Sequence, residues 1–422
     1  MTAAIRVGYQ QQVTNPTRVA ILGGYQTDFA RNFTREGLDI TDLTAEVVAG
    51  TLSAAGVTPA DVEVIHVGNA FGQLFTGQGH LGAMPATVEP GLIGVPASRH
   101  EAACASGGIA LLAAMADLES GRYDCALVLG VELERNVSGA AAADIMAAAA
   151  WVGHEGADAR YMWPWAFNHV ADEYDRRFGL DDAHLRAIGE LNLRNAHDNP
   201  LAQTRGWALT ESSFAADDAA NPIVEGRLRR HDCSQVTDGA AGVVVVSERW
   251  LRARSGARSG PHSVILGWGH RTAGLPLAAK FAASAGGPFV MPVVRAAIVD
   301  AFVRAGVPGV DAVDAIETHD CFTPSEYLAI DHFGITEPGA SWQAIEAGDL
   351  ARDGRIPINP SGGLIGVGHP VGATGVRMVL DAHRQVTGSA EGYQVSDAST
   401  VATLNIGGST ATTVTFVVGQ LQ

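Results

Sequence analysis

The strongest constraint on this chain is an order of elements that its 422 residues run through twice. In the first half, Arg18-Val-Ala-Ile-Leu22 reads as a strand. Thr41 to Ala55 reads as a helix with Val47, Val48 and Leu52 on one face. Val62-Glu-Val-Ile-His-Val67 reads as a second strand, and a helical pattern follows Ser106-Gly-Gly108. Cys125-Ala-Leu-Val-Leu-Gly130 is wholly apolar, which suits a strand covered on both faces. The second half repeats the plan. Ser263-Val-Ile-Leu-Gly267 matches the first strand, and Pro292 to Ala305 is a helix with Val293, Ala297, Ile298 and Phe302 as its apolar stripe. Val313-Asp-Ala-Ile-Glu317 matches the second strand, and Ser361-Gly-Gly363 echoes Ser106-Gly-Gly108. Val401 to Leu404 and Thr413 to Val418 close the sheet. Strands alternating with helices predict an α/β fold, here a duplicated unit of about 150 residues. The expected halves are 1–260 and 261–422.

Between Leu133 and Cys233 the alternation breaks, which predicts a helical insertion at about 133–233 in the first half. It holds an Ala-rich stretch, the cluster Tyr161-Met-Trp-Pro-Trp-Ala-Phe167, and helical patterns at Ala171–Arg177 and Asp182–His197. Insertions over a sheet often cover a site, so Trp163 and Trp165 are expected near a ligand path.

The net charge of −17 argues against nucleic acid, because a phosphate backbone needs a basic surface. An anionic ligand needs only a local cluster. Arg227, Arg229 and Arg230 form one candidate, and Arg249, Arg252, Arg254 and Arg258 another. Lys280 is the only lysine and sits in no supporting motif, which leaves Schiff-base chemistry a single weak candidate. The four cysteines have no framework spacing, as expected of free thiols in a reducing compartment. No signal-peptide pattern, no apolar run of membrane-spanning length and no peroxisomal C-terminus is evident, so the expected location is the cytoplasm.

Three segments are rich in reactive groups. The first is Glu101-Ala-Ala-Cys-Ala-Ser-Gly-Gly108, which places Cys104 at a helix start. There the unpaired N–H groups and the dipole are expected to raise the thiolate fraction. The second is Glu317-Thr-His-Asp-Cys-Phe322, with His319 and Cys321 at a strand end, where α/β folds build sites. The third runs from Asn359 to Gly375 and sets glycines around His369, so backbone can approach a ligand closely. It does not fit the dinucleotide pattern opening a helix. His369 is a candidate base for Cys104, and His319 a second base or an oxyanion donor. Two thiols and two imidazoles suit reversible carbon–carbon bond chemistry at a thioester. His231-Asp-Cys233 repeats the tripeptide His319-Asp-Cys321, but the close ligand pairs of a zinc site are absent, and no metal is expected.

With these segments in order, the chain resembles the thiolases over nearly its whole length. Glu101 to Gly108 resembles the nucleophile motif, Leu129-Gly-Val-Glu132 the strand end after it, and Gly368-His-Pro370 the histidine motif. Ser234-Gln-Val-Thr-Asp-Gly-Ala-Ala241 resembles the return from the inserted loop domain. Two departures are informative. Leu404-Asn-Ile-Gly-Gly408 has Asn405 where most thiolases carry a second cysteine, and His319-Asp-Cys-Phe322 replaces Asn-Glu-Ala-Phe. Both resemble the branch related to sterol carrier protein 2, in which the cysteine matching Cys321 supplies the second thiol. No sterol-carrier segment is expected.

The resemblance implies a five-layered α/β/α/β/α fold with an inserted loop domain, in a homodimer or homotetramer. It implies acyl-CoA and coenzyme A as substrates, no tightly bound cofactor, and a place in lipid metabolism such as fatty acid β-oxidation. In the implied reaction, Cys104 gives its proton to His369 and attacks the 3-keto carbon of a 3-oxoacyl-CoA. Acetyl-CoA leaves as its enolate, with His319 and His369 on the thioester oxygen and Cys321 protonating carbon. The Cys104 and Gly407 N–H groups hold the tetrahedral oxyanion. Coenzyme A contacts are assigned to Trp163, Trp165 and Arg227. The rivals are a ketoacyl-carrier-protein synthase, against which Cys321 speaks, a thiolase-fold aldolase acting on steroid side chains, and a partner-dependent subunit. Some thiolase-like proteins bind a small zinc-containing OB-fold protein.

Overall fold

The computed structural model describes residues 18–254 and 262–421. The expected boundary between halves at 260/261, and Arg258, lie outside those residues. Nine strands form one mixed sheet system: β1 Val19–Gln26, β2 Val64–Gly68, β3 Ala97–His100, β4 Cys125–Glu132, β5 Gly239–Ser247, β6 Ser263–Thr272, β7 Ala315–Thr318, β8 Thr400–Gly407 and β9 Thr412–Gln420. Their order is β3-β2-β4-β5-β1-β6-β9-β8-β7.

Read from its two ends, that order carries the duplication. β2 is parallel to β3 and β4, and β5 is antiparallel to β4 and β1. At the other end β7 is parallel to β8, and β9 is antiparallel to β8 and β6. A parallel bridge between Ile316 and Ile358 stands where β3 would be. The two patterns meet at β1 and β6, where Val19, Ala20 and Ile21 pair with Ile265, Val264 and Ser263.

Seven helices complete the layers: α1 Ile40–Ala55, α2 Ser106–Glu119, α3 Met162–Phe178, α4 Asp182–Ala196, α5 Pro292–Ala305, α6 Thr323–Phe333 and α7 Thr374–Val386. α2 and α7 form the central layer. Their Leu111, Met115, Val379 and Val386 share a core with Val128, Val245, Val414 and Phe416 from both halves. α1 covers the outer face of the first half through Leu43, Val47 and Val48. α5 and α6 cover the second, and the insertion's α3 packs on them through Phe167, Val170 and Tyr174. This is the expected five-layered α/β fold.

Some boundaries move for physical reasons. α1 opens at Ile40 because Asp39 accepts the N–H groups of Thr41 and Asp42, and it ends where Gly56 turns left-handed at φ +64. α3 begins at Met162, nine residues before the expected Ala171, so the aromatic cluster is itself helical. Pro164 is tolerated because it falls in the first turn, where no helical hydrogen bond is lost. The insertion also holds a short hairpin, Ile223–Glu225 with Leu228–Arg229.

α2 and α7 touch through glycine. A Cβ on Gly107 would lie 2.9 Å from the Gly372 carbonyl oxygen and the Val376 nitrogen. One on Gly375 would strike the Gly108 nitrogen and Asn405 Oδ1. Gly375→Ala is therefore expected to cost about 1–3 kcal/mol by overpacking. The urea midpoint measures this, against Gly206→Ala as a control, where an added Cβ meets nothing within 4 Å.

Candidate active site

Four segments converge at the ends of the central helices. Cys104 lies between β3 and α2. Ala103 before it has φ +50, a left-handed conformation costly for a residue with a side chain. Ser106 holds that turn, its Oγ accepting the Ala102 N–H at 2.9 Å and donating to the Ala103 carbonyl at 2.6 Å. His319 and Cys321 follow β7, and Asn405 and Gly408 end β8. His369 stands in the glycine loop before α7.

The reactive atoms of Cys104, His319 and His369 lie within 4.8 Å of one another. The two imidazoles meet edge to face, with centroids 5.2 Å apart. Their partners fix opposite tautomers. Thr374 donates its hydroxyl proton to the Pro370 carbonyl at 3.0 Å, so toward His369 Nδ1, at 2.7 Å, it accepts. His369 is thereby Nδ1-protonated and its Nε2 keeps a lone pair. Asn405 Nδ2 donates to the Cys104 carbonyl at 3.0 Å, which orients the amide, because a carbonyl only accepts. The same nitrogen lies 3.4 Å from His319 Nδ1. His319 therefore accepts at Nδ1 and carries its proton on Nε2.

Burial sets the charge state of the group, although Cys104 itself is only half-buried. It pushes the Cys104 thiol up to about 12, with Glu134 adding to the rise and the Gly408 N–H and its own N–H opposing it. The expected gain in thiolate is thus overturned: loss of water outweighs the helix start. Burial lowers His369 to about 3, helped by the Arg377 guanidinium. It lowers His319 well below the usual imidazole range, with His369 and Arg377 contributing. It raises Cys321 well above the usual thiol range, with Cys104 next in effect. Cys321 Sγ lies 3.9 Å from Ser325 Oγ, which is bonded at 2.6 Å to the Phe322 carbonyl.

Cys104, Cys321 and His369 line a cavity of about 360 Å³, whereas His319 is buried and does not border it. Phe71, Met146, Trp163, Phe167, Phe322 and Val371 are among its apolar walls. That is the usual make-up of a ligand site: apolar walls with a few convergent polar groups.

Not every expected residue arrives there. Gly408, not Gly407, borders the cavity and turns its N–H to the Cys104 sulfur. Gly407 is packed against the Ala102 carbonyl instead. Trp163 lines the cavity, its indole N–H bonded to the Met146 carbonyl at 3.0 Å. Trp165 does not; its ring lies tilted against His169, with centroids 4.2 Å apart, and packs on the core of the second half. Arg227 is also away from the cavity. Its guanidinium is held by Asp182 at 2.7 Å, Asp175 at 3.2 Å and Asp172 at 3.6 Å, which leaves little of its charge for a phosphate. In the second arginine cluster, Arg249, Arg252 and Arg254 are paired with Asp124, Glu248 and Asp61. His231 spends Nδ1 on the Ser213 carbonyl at 2.6 Å, so the repeated tripeptide does not bring two His and two Cys together.

Three residues escape a sequence reading. Thr374 and Asn405 act on the imidazoles through hydrogen bonds that only the fold defines. Glu134 also faces the cavity. Its one signal is a second acid two positions after Glu132, at the end of an apolar strand.

No helix among the described residues is long and apolar enough to cross a membrane. The N-terminal domain model of the thiolases matches residues 19–174, and the thiolase C-terminal domain-like model matches 281–420. An acetyl-CoA acetyltransferase of Methanothermobacter thermautotrophicus is 31% identical over 93% of this chain and 97% of its own. Sterol carrier protein 2 of Oryctolagus cuniculus is 26% identical over 92% of this chain and 70% of its own. Among solved structures, an Ltp2-ChsH2(DUF35) aldolase superposes with a TM-score of 0.75 at 21% identity, over 96% of this chain and 98% of its own, a likeness of fold. Two domain models in sequence and a relative matched over nearly its full length agree with the strand order and the converging Cys and His loops: the chain belongs to the thiolase family.

Proposed function

We propose that the protein transfers acyl groups to and from coenzyme A through an acyl-Cys104 intermediate. It would cleave a 3-oxoacyl-CoA to acetyl-CoA and a shortened acyl-CoA, or run the reverse condensation. The observation that carries this reading is one thiol with two buried imidazoles within 4.8 Å, beside a cavity that Cys104, His369 and the Cys321 thiol line.

Each group then has one task. His369 Nε2 takes the Cys104 proton as the sulfur bonds to the 3-keto carbon. The keto oxygen becomes an oxyanion and receives the Cys104 and Gly408 N–H groups; such donors are worth about 3–4 kcal/mol each. The C2–C3 bond breaks, and its electrons pass to the thioester oxygen, which the His319 Nε2–H and the protonated His369 receive. Cys321 protonates C2, and acetyl-CoA leaves. Incoming coenzyme A gives its thiol proton to the Cys321 thiolate and attacks the acyl carbon. Cys104 departs and recovers its proton from His369. Because Cys321 is held as a thiol at neutral pH, it starts as a donor, as cleavage requires.

The Ltp2-ChsH2(DUF35) aldolase suggests a second reading, retro-aldol cleavage with a partner protein. That chemistry needs no acyl-thiol intermediate. The Cys104–His369 juxtaposition favours the first reading, and so does the spare proton on Cys321.

Thiolysis of 3-oxoacyl-CoAs, with intact-mass detection of one acyl group on Cys104, tests the proposal. Turnover that survives in Cys104→Ala would transfer the case to the aldolase reading. In the free enzyme, alkylation of Cys104 by iodoacetamide should keep rising from pH 7 to pH 10, because a thiol whose pKa is raised gains thiolate throughout that range. A plateau below pH 8 would instead report a standing thiolate–imidazolium pair. Cys321→Ala should still acylate Cys104 but lose exchange of the acetyl-CoA methyl protons with D₂O by about 10²-fold or more, read by NMR. Exchange at the parent rate would assign the carbon acid–base step to another group, His319 first.

A further inference from the structure

The mechanism leaves a buried acid of the cavity without work. Glu134 follows β4 and borders the cavity beside Cys104, His369 and Val371. It is 1% exposed. Its Oε1 accepts the Val371 N–H at 3.0 Å. Its Oε2 is buried and has no hydrogen-bond partner among the described residues.

Hydrogen-bond bookkeeping shows where the proton sits among three neighbouring carboxyls. Glu132 receives N–H donors from Asn69, Ala70, Phe71 and Gly372. Asp238 receives the backbone N–H groups of Phe33, Glu134 and Arg135. Burial raises both, Glu132 to about 7, but these donors hold each nearer its anion than Glu134 is held. Glu134 faces those two carboxyls and the Cys104 thiol, with only the Val371 and Thr237 N–H groups in its favour. The cations beside Glu132 and Asp238 are spent on carbonyls. Arg99 is bonded to the Asn69 and Ala70 carbonyls, and Arg135 to the Ala30 and Arg31 carbonyls. Burial, then Glu132, pushes Glu134 well above the usual carboxyl range. The acid is therefore held neutral, and its O–H finds no acceptor among the described residues.

A plain hydrocarbon chain along the apolar wall would leave that O–H buried and unpaired, which is costly. An oxygen on the acyl group would pair it. We propose that Glu134 is a specificity-determining residue whose Oε2–H donates to an oxygen substituent on the acyl group, beyond the carbon that bonds Cys104. The site then selects oxygenated acyl chains over plain ones. This inference rests on the acyl-transfer reading of the same cavity.

Hexanoyl-CoA and its 3-, 4- and 5-hydroxy forms test it. The rate of acyl addition to Cys104 is followed by intact mass in the parent protein, Glu134→Met and Glu134→Gln. At least one hydroxy form should react about ten-fold or more faster than hexanoyl-CoA in the parent. Glu134→Met should bring that ratio near one. Glu134→Gln, whose amide still donates, should keep most of it. No preference for any hydroxy form in the parent, or an unchanged ratio in Glu134→Met, overturns the proposal. Calorimetry on Cys104→Ala reads the same preference as binding, without acylation. If Cys104 never acylates yet this variant binds a hydroxy form about ten-fold more tightly, the covalent reading falls and the role of Glu134 stands. If it binds all four thioesters alike, the role of Glu134 falls.

Discussion

The close contact of α2 and α7 is the constraint on which the site depends. One helix comes from each half of the duplicated chain, and both open beside a reactive residue, Cys104 before α2 and His369 before α7. Gly107, Gly108 and Gly375 let the two backbones approach until side chains have no room between them. The reacting atoms can then lie within 4.8 Å although 265 positions separate Cys104 from His369. Each helix start brings one reactive side chain, and the glycine contact joins the two starts.

The contact has a cost that a buried ion pair offsets. α7 is covered on nearly every side, yet it carries Arg377 and Asp381. The Arg377 guanidinium reaches Asp381 at 2.8 Å and Glu317 on β7 at 3.2 Å, and Ser361 at 3.0 Å. Removing one partner would strand an uncompensated charge in the core, which typically costs about 3–5 kcal/mol. The same cation lowers the proton affinity of His319 and His369. Packing and electrostatics of the site therefore share one side chain.

Much of the fold was legible in the sequence because apolar periodicity survives duplication. The repeated strand and helix patterns place β1, β6, α1 and α5 within a few residues. The convergence of Cys104, His319, Cys321 and His369 was implied by the resemblance of their motifs to those of the thiolases. What could not be read was set by tertiary contacts. Arg227 looks like a free cation in a basic cluster, but three aspartates from α3 and its neighbourhood surround it. Gly407 and Gly408 are equivalent as letters, and only the path of β8 turns the second toward the Cys104 sulfur. A helix start suggests a lowered thiol pKa, whereas enclosure by Phe71, Phe322 and Val371 reverses the sign. Glu134 carries no motif, since a buried acid is visible only once its neighbours are known.

Enclosure also explains how one cavity can hold so many titratable groups without self-repulsion. Burial moves each of them toward its neutral form: the thiols of Cys104 and Cys321 upward, the imidazoles of His319 and His369 downward, Glu134 upward. At rest these groups need little stabilisation of charge from one another. Charge would arise only as bonds change, when a proton passes from sulfur to His369 and an oxyanion forms beside the Cys104 and Gly408 N–H groups. Donors fixed by the fold require no reorganisation at that moment, and in a water-poor cavity their interaction with charge is stronger than in solvent. Under the proposed mechanism, a low resting reactivity of Cys104 would follow from the same enclosure that favours a charged transition state. A standing thiolate would be partly stabilised before the reaction began, and that stabilisation would be subtracted from the gain at the transition state.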